Sequence, residues 1–205
     1  MGVNILVAAV LLAVSAAQAN TGEPPATKTN GPSQADKRKA GDRRIAGHPL
    51  PEGELVQRIN VHRKKTWHWQ SVLNKRRSPT NYSERTTTSR EYRVWVLNLW
   101  KTRAAKLWQT ARRPPHKSEW LCIHQYEGHW RSTPGGPGGL NSGGPYYGGL
   151  QMDISFQQTY GGYLLARKGT ADRWSPLEQM WVAEHAYKTR GFYPWPNTAR
   201  YCGLI

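Results

Sequence analysis

The sequence is short of acidic residues, cysteines and long apolar runs, and each shortage excludes something. Only 13 of 205 residues are Asp or Glu, against 29 Lys and Arg, for a formal charge of +16. A chain this basic suits an anionic partner. There are two cysteines, with no C-x-x-C pair and no Cys/His cluster at zinc spacing, which argues against a metal centre. Two cysteines do fit an exported protein with one disulfide. The apolar run at residues 5–14 is too short to span a bilayer. Residues 20–55 lack aromatic side chains and are rich in Pro, Gly, Thr, Lys and Arg. Such a segment cannot bury enough apolar surface to offset its chain entropy, so a disordered basic linker is expected there.

What is present divides the chain into four parts. Residues 1–19 read as a signal peptide: a short apolar stretch followed by Ala17-Gln18-Ala19, a small-x-small cleavage site before Asn20. An N-terminal anchor is the alternative, and the short run argues against it. After the linker at 20–55, residues 56–114 are basic but carry Trp67, Trp69, Trp95, Trp100 and Trp108. Leu97, Trp100, Ala104, Leu107 and Ala111 recur at helical spacing and predict a helix over about 89–112, stopped by Pro114-Pro115. A second helix is expected over 66–75, with Trp69, Val72 and Leu73 on one side. The tryptophans fall on periodic faces, which favours packing over ligand stacking. This makes 56–114 a basic helical extension laid against the domain that follows, at 115–205.

Charge is lopsided between these parts. Residues 1–114 hold 21 of the 29 cations and 7 of the 13 acids, a net of +14, which leaves +2 for 115–205. A basic, aromatic segment invites a nucleic-acid reading. In an exported chain, anionic cell-wall polymers or membrane surfaces are the better match for residues 20–114, with a solvated tail lacking a specific ligand as the alternative.

The chemistry concentrates at residues 120–153. W-L-C-I-H-Q-Y-E-G-H-W is followed by a Gly/Pro-rich run and then P-Y-Y-G-G-L-Q-M-D. On a helix ending near Gly128, Trp120, Ile123, His124 and Glu127 share a face. A carboxyl beside apolar surface loses solvation, so its charged form is disfavoured and its pKa rises, as a general acid near neutral pH requires. A solvated helix-end glutamate is the plain alternative. The string H-Q-Y-E-G-H approaches the H-x-x-E-H metalloprotease motif, but Gly128 stands where the second ligand belongs, and one residue turns a helical ligand by about 100°. No metal is expected.

Further on, Ser175-Pro176-Leu177-Glu178 is a helix start with Ser as N-cap, Pro at N1 and Glu at N3, running to about Arg190 with Gly191 as its stop. Leu177, Met180, Trp181 and Tyr187 form its apolar face, and Glu184 lies on that face. Residues 153–160 predict a short helix ended at Gly161-Gly162. Phe192, Tyr193, Pro194 and Trp195 suit either a sugar-stacking wall or core packing.

Trp120 to Glu127-Gly128, Tyr146-Tyr147-Gly148-Gly149-Leu150-Gln151, Ala183-Glu184 and the late Trp195-Pro196 with Cys202 together resemble the resuscitation-promoting-factor, or transglycosylase-like, branch of the lysozyme superfamily. The resemblance covers about residues 118–205. It implies a small lysozyme-like α+β domain, mostly helical, with a short hairpin around 146–151. It implies cleavage of peptidoglycan glycan strands by a secreted, wall-associated enzyme without a cofactor, either a lytic transglycosylase or a muramidase. Glu127 takes the place of the family's general acid, and Gln151 that of the glutamine beside the substrate. Tyr146, Tyr147 and Trp195 would complete the sugar site. The family places one Cys directly before the Glu and another two residues after the Pro. Here both anchors are displaced by four residues, to Cys122 and Cys202, and the resemblance implies that they are bridged. The loop over 131–145 is longer than the family's. Asp153 and Glu184 are the two carboxylates that could assist, Glu184 being better suited to a buried structural bond. A glycan-binding module without turnover is the non-enzymatic alternative.

Overall fold

The structure, a computed structural model, describes residues 49–134 and 144–205. The expected signal peptide, the linker up to residue 48 and most of the long loop lie outside the described residues. The described part is mostly helical: α1 (Glu52–Val72), α2 (Tyr82–Thr86), α3 (Arg90–Ala111), α4 (Lys117–Glu127), α5 (Ile154–Lys168), a 3-10 turn (Ala171–Arg173), α6 (Pro176–Arg190) and α7 (Pro196–Tyr201). The predicted hairpin is reduced to one antiparallel bridge, Tyr147 to Met152, and no strand forms among the described residues.

The helix starts follow local chemistry. Asn81, Ser89, Asp153 and Ser175 each accept a backbone N–H with the side chain, which satisfies an otherwise orphaned donor of the first turn. Ser175 and Glu178 complete the expected capping box, and Gly191 (φ 56°) ends α6 where the sequence placed the stop. Two expectations change. The helix expected over 66–75 is the end of a 21-residue helix that begins at Glu52, four residues inside the segment expected to be linker. Its first half carries only Leu55 and Ile59 as buried apolar anchors, too sparse for a periodic signal. Gly161 interrupts α5 where a helix end was expected, but a second helical stretch follows at once. The backbone departs from helical geometry there (φ −126°, ψ 19°) and helix resumes to Lys168. A Cβ at Gly161 would lie 2.6 Å from the Trp174 ring, so the kink fits a packing constraint.

The long helices α1 and α3 run parallel. Glu52 near the start of α1 meets Arg90 and Arg93 at the start of α3. Arg63 lies over Trp100 in mid-helix, and Trp69 meets Trp108 near both ends at 5.4 Å. Parallel neighbours of about 30 Å need a connection that returns the full length. Residues 73–89 make that return alongside both helices. Ser78 accepts from Trp67 Nε1 (2.9 Å), Glu84 accepts from Trp100 Nε1 (2.9 Å), and Thr87 O accepts from Arg93 Nε (3.0 Å). Leu55, Ile59, Val96 and Trp100 form a small core of their own. Trp67, Trp69 and Trp100 thus pack, as their periodicity indicated, whereas Trp95 and Trp108 stay exposed.

The far end of α1 joins the main core. Val72 is buried with Trp120, Ile123, Leu150, Met180 and Trp195, and Trp69 packs against that cluster. Trp181 Nε1 donates to Ala111 O (2.7 Å) from the other side of Pro114. The extension is therefore laid against the following segment, and the 114/115 boundary divides the sequence without dividing the packing.

The disulfide Cys122–Cys202 is present, with Cα atoms 6.0 Å apart and a sequence separation of 80. It joins α4 to the end of α7. Tyr126 and Tyr201 are in ring contact beside it (5.5 Å). Replacing both cysteines by serine should cost about 2–4 kcal/mol in urea melts, given the length of the closed loop. An unchanged midpoint would show that the crosslink leaves the unfolded chain unconstrained.

Glu178 links α1, α5 and α6. Its buried carboxylate accepts from His68 (2.7 Å), from Lys168 Nζ (2.6 and 2.8 Å) and from the Ser175 amide (2.7 Å). Burial alone would raise its pKa, but these donors outweigh burial and hold it down from 4.5 to about 2. A depressed carboxylate stabilises the fold above its unfolded pKa and loses that contribution as pH falls through its folded one. Glu178→Gln should therefore destabilise the protein at neutral pH, with the deficit shrinking as pH falls from 4.5 to about 2. A deficit that is constant over that window in chemical melts would show that the ionised form is not the stabilising one.

Candidate active site

Glu127 is the last residue of α4, and α4 turns Trp120, Ile123 and Glu127 inward together. The side chain is 8 % exposed. Thr198 Oγ1, buried on α7, donates to Glu127 Oε1 at 2.8 Å. No ion pair to Glu127 forms among the described residues. Burial raises the Glu127 pKa above its ordinary 4.5, and the Thr198 hydrogen bond opposes that only in part. The C-terminal end of a helix dipole also disfavours an anion there. The result is a carboxyl that retains its proton to higher pH than a solvated one.

His124, one turn earlier, has its ring stacked on Trp130 at 3.9 Å and its Nδ1 3.1 Å from Gly149 O. Burial pushes its pKa down, so the neutral ring donates from Nδ1 to that carbonyl. This bond attaches the end of α4 to the turn at residues 147–152.

The turn at 147–152 is closely packed. Its two glycines face protein. A Cβ at Gly148 (φ +73°) would lie 2.5 Å from Gln179 Oε1, and one at Gly149 would lie 2.6 Å from His124 and 2.8 Å from the Trp130 ring. They permit close packing of the turn onto α6 and Trp130 rather than approach by a sugar. Gln151 takes a left-handed conformation (φ 46°), and its Nε2 folds back onto Gly148 O at 2.8 Å. Tyr146 is exposed at 40 %, and Tyr147 is half-buried against the core.

Trp195 is a core residue. It is 4 % exposed, its ring meets Trp120 (5.1 Å) and Phe156 (5.4 Å), and its Nε1 donates to Leu150 O at 2.6 Å. Phe192 is buried as well, while Tyr193 is 70 % exposed. Core packing thus describes Trp195 and Phe192, and a ring so enclosed has no face to offer a sugar. Trp195 instead holds the turn that carries Gln151. No hydrogen bond or ring contact joins Glu127 to Gln151, Tyr146 or Tyr147 among the described residues.

The two other carboxylates have structural bonds, Asp153 through one oxygen and Glu184 through both. Asp153 Oδ1 caps α5, accepting from the Phe156 amide and Ser155 Oγ (both 2.7 Å), and the Phe156 bond first of all holds its pKa below the ordinary value. Glu184 is buried and accepts from His116 N (2.8 Å), Trp120 Nε1 (2.8 Å) and His116 Nδ1 (3.1 Å). That is the structural bonding its position suggested.

Two residues that sequence reasoning missed matter here. Among the described residues Thr198 supplies the one hydrogen bond to the Glu127 carboxyl, and nothing in N-T-A-R marks it. Gln179 is fully buried: its Oε1 accepts from Gly149 N (2.8 Å), and its Nε2 lies within 3.1 Å of the carbonyls of Trp130, Ala171 and Trp174. Its signal was a polar residue beside Met180 and one turn before Ala183. A cleft of about 620 Å³ opens nearby, with His129, Trp130, Arg131 and Trp174 on its walls. Glu127 is not among the residues that line it.

No family model, curated protein or solved structure matches the chain.

Gln179→Leu would remove the partner of the Gly149 amide and a donor to the Trp130 and Trp174 carbonyls, while Ala171 O keeps the Trp174 amide; each buried group left unpaired costs about 1–3 kcal/mol. A loss of at least ~3 kcal/mol is expected in denaturant melts, with accelerated hydrogen exchange at Gly149. Protection at Gly149 equal to that of the parent would show that the turn is held by other contacts.

Proposed function

We propose that the chain is an exported enzyme that cleaves peptidoglycan glycan strands, with residues 115–205 as a transglycosylase-like domain and Glu127 as general acid. The observation that carries this reading is the state of Glu127: buried, lacking an ion pair among the described residues, raised in pKa, and given a single hydroxyl donor. A structural carboxylate is normally saturated by donors, as Glu178 and Glu184 are, because an unpaired buried charge is costly. A wall-binding module without turnover would have no use for such an acid.

The structural bonds of the other two candidate carboxylates are in keeping with transglycosylation, for which one carboxylate suffices. Ordinary glycosidases need a second carboxylate as nucleophile or base. Asp153 is committed to a helix cap and Glu184 to three donors. With one carboxylate, Glu127 protonates the bridging oxygen as the glycosidic bond breaks. As carboxylate it then takes the proton of the sugar's own C6 hydroxyl, whose oxygen bonds to the anomeric carbon. The products are a shortened strand and a 1,6-anhydro sugar, and no water is consumed. In this reading Gln151, Tyr146 and Tyr147 hold the sugar, Trp195 supports the turn from beneath, and the basic segment 20–114 holds anionic wall polymers.

Glu127→Gln keeps shape and hydrogen bonding but has no acidic proton. It should abolish cleavage of purified peptidoglycan while glycan binding persists, and the parent's products should be lighter than hydrolysis products by one water in mass analysis. Because the acid must be protonated, the parent rate should fall as pH rises through the raised pKa. Thr198→Val removes the donor that favours the carboxylate, so its falling limb should move to higher pH. Activity retained in Glu127→Gln but lost in Asp153→Asn or Glu184→Gln would assign the acid elsewhere. A parent that binds glycan without cleaving it would favour the binding module.

A further inference from the structure

A second cleft, of about 410 Å³, opens where α1 meets α5. Its walls carry five cations: Lys64 and Lys65 from α1, Arg77 from the return segment, and Arg167 and Lys168 from the end of α5. All five residues are exposed. The nearest acid, Glu178, is buried and shared among Lys168, His68 and the Ser175 amide. Lys168 also lines the first cleft, together with Arg131 and Arg173. The acid beside Arg173, Asp172, accepts from Thr170 Oγ1. Lys168, paired to Glu178, is thus common to both clefts, and their cations come about equally from both sides of the 114/115 boundary.

The shape indicates a long ligand, and the aromatic residues indicate which kind. Single-stranded nucleic acid is held by bases stacking on free aromatic faces. Here each ring already has a neighbour. Trp69 packs on His68 (5.2 Å) and Trp108, Trp67 packs edge-on to Trp100 (5.8 Å) with Arg63 over its ring (5.9 Å), and Trp174 is buried. Trp130 stacks on His124, and Tyr163 has the Arg77 and Arg167 guanidiniums over it, each at 5.8 Å. What the clefts offer besides these rings is exposed charge, on Lys64, Lys65, Arg77 and Arg167. Arginine is suited to phosphate oxygens by its planar fork of donors.

We propose that the two clefts are a track for a linear phosphodiester polymer of the polyol-phosphate type, held through its phosphates and without bases. This deepens the anionic-partner part of the preceding reading and is independent of Glu127: binding is measured without glycan, so it can fail while cleavage stands, and the reverse. It also shifts the site. Residues 20–114 supply only part of it, and Arg131, Arg167, Lys168 and Arg173 supply the rest.

The test uses the full chain and an unbranched poly(glycerol phosphate) long enough to cover both clefts, followed by calorimetry across a salt series. Binding should weaken with salt. Arg77→Gln with Arg167→Gln should weaken it at least ~10-fold at about 0.1 M salt and lower the slope of log K against log salt by about 1–2. A control pair off the track with the same charge loss, Lys106→Gln with Arg200→Gln, should change affinity less than about threefold, since charges beyond a Debye length are screened. Lys64→Gln with Lys65→Gln gives the same reading should the first pair melt early. Equal losses in track and control pairs would overturn the proposal, as would equal binding of poly-glutamate of matched charge. An oligonucleotide that binds better than its abasic counterpart would show that bases are read, and would replace the proposal with a nucleic-acid site.

Discussion

The buried polar side chains of α6 hold the rest of the fold in register. Glu178, Gln179 and Glu184 are almost fully enclosed, and each reaches a different neighbour. Glu178 takes donors from α1 and α5, Gln179 binds the turn at 147–152 and the segment after α4, and Glu184 takes the start of α4. A hydrophobic core is tolerant of small slides between helices, because its attraction is non-directional. Hydrogen bonds to buried side chains are not, since each lost bond leaves a desolvated group. In a chain with few strands to fix positions by backbone pairing, these three residues give the helices their alignment.

The environment of Glu127 depends on that alignment at one remove. Glu184 fixes the start of α4 through His116 and Trp120, and the disulfide fixes its middle against α7. Between these anchors the end of α4 lies beside Thr198, and the carboxyl there is covered. The contrast among the carboxylates of this region is what gives Glu127 its distinct chemistry. Glu178 has several donors and is driven to a low pKa, Asp153 is held low by its cap, and Glu127 has one hydroxyl and is driven up. Environments that push carboxyl groups apart are how acid and base roles are distinguished in active sites.

Much of this was legible in the sequence, and the failures have physical causes. Helix signals that depend on neighbours in the chain were reliable: the Ser175 capping box, the Gly191 stop, the Ser89 start and the inward face of α4 are all formed. What failed depended on distant partners. Gly161 breaks the helix as read, but helix resumes to Lys168, and Trp174 and Val182 lie against the break. Trp195 reads equally as a ligand platform or a core residue, and only Trp120, Phe156 and the Leu150 carbonyl decide. The first half of α1 has two buried anchors and is stabilised by Val96 and Trp100, 40 residues away in sequence, which no local pattern can anticipate. Thr198 and Gln179 were invisible for the same reason.

The glycines of Tyr146-Tyr147-Gly148-Gly149 show how a motif can be informative for a reason other than the obvious one. Glycine pairs near a candidate acid suggest open backbone for a ligand. Here both positions are buried, one against Gln179 and the other against His124 and Trp130. Their function is to let the turn settle onto α6 and against the end of α4, so that one contact set aligns the turn, the His124 ring and the helix that bears Glu127. A side chain at either position would push apart groups that belong to the site, and the consequence would reach Glu127 although neither glycine touches it. The motif is thus a constraint on how the turn and the end of α4 are assembled.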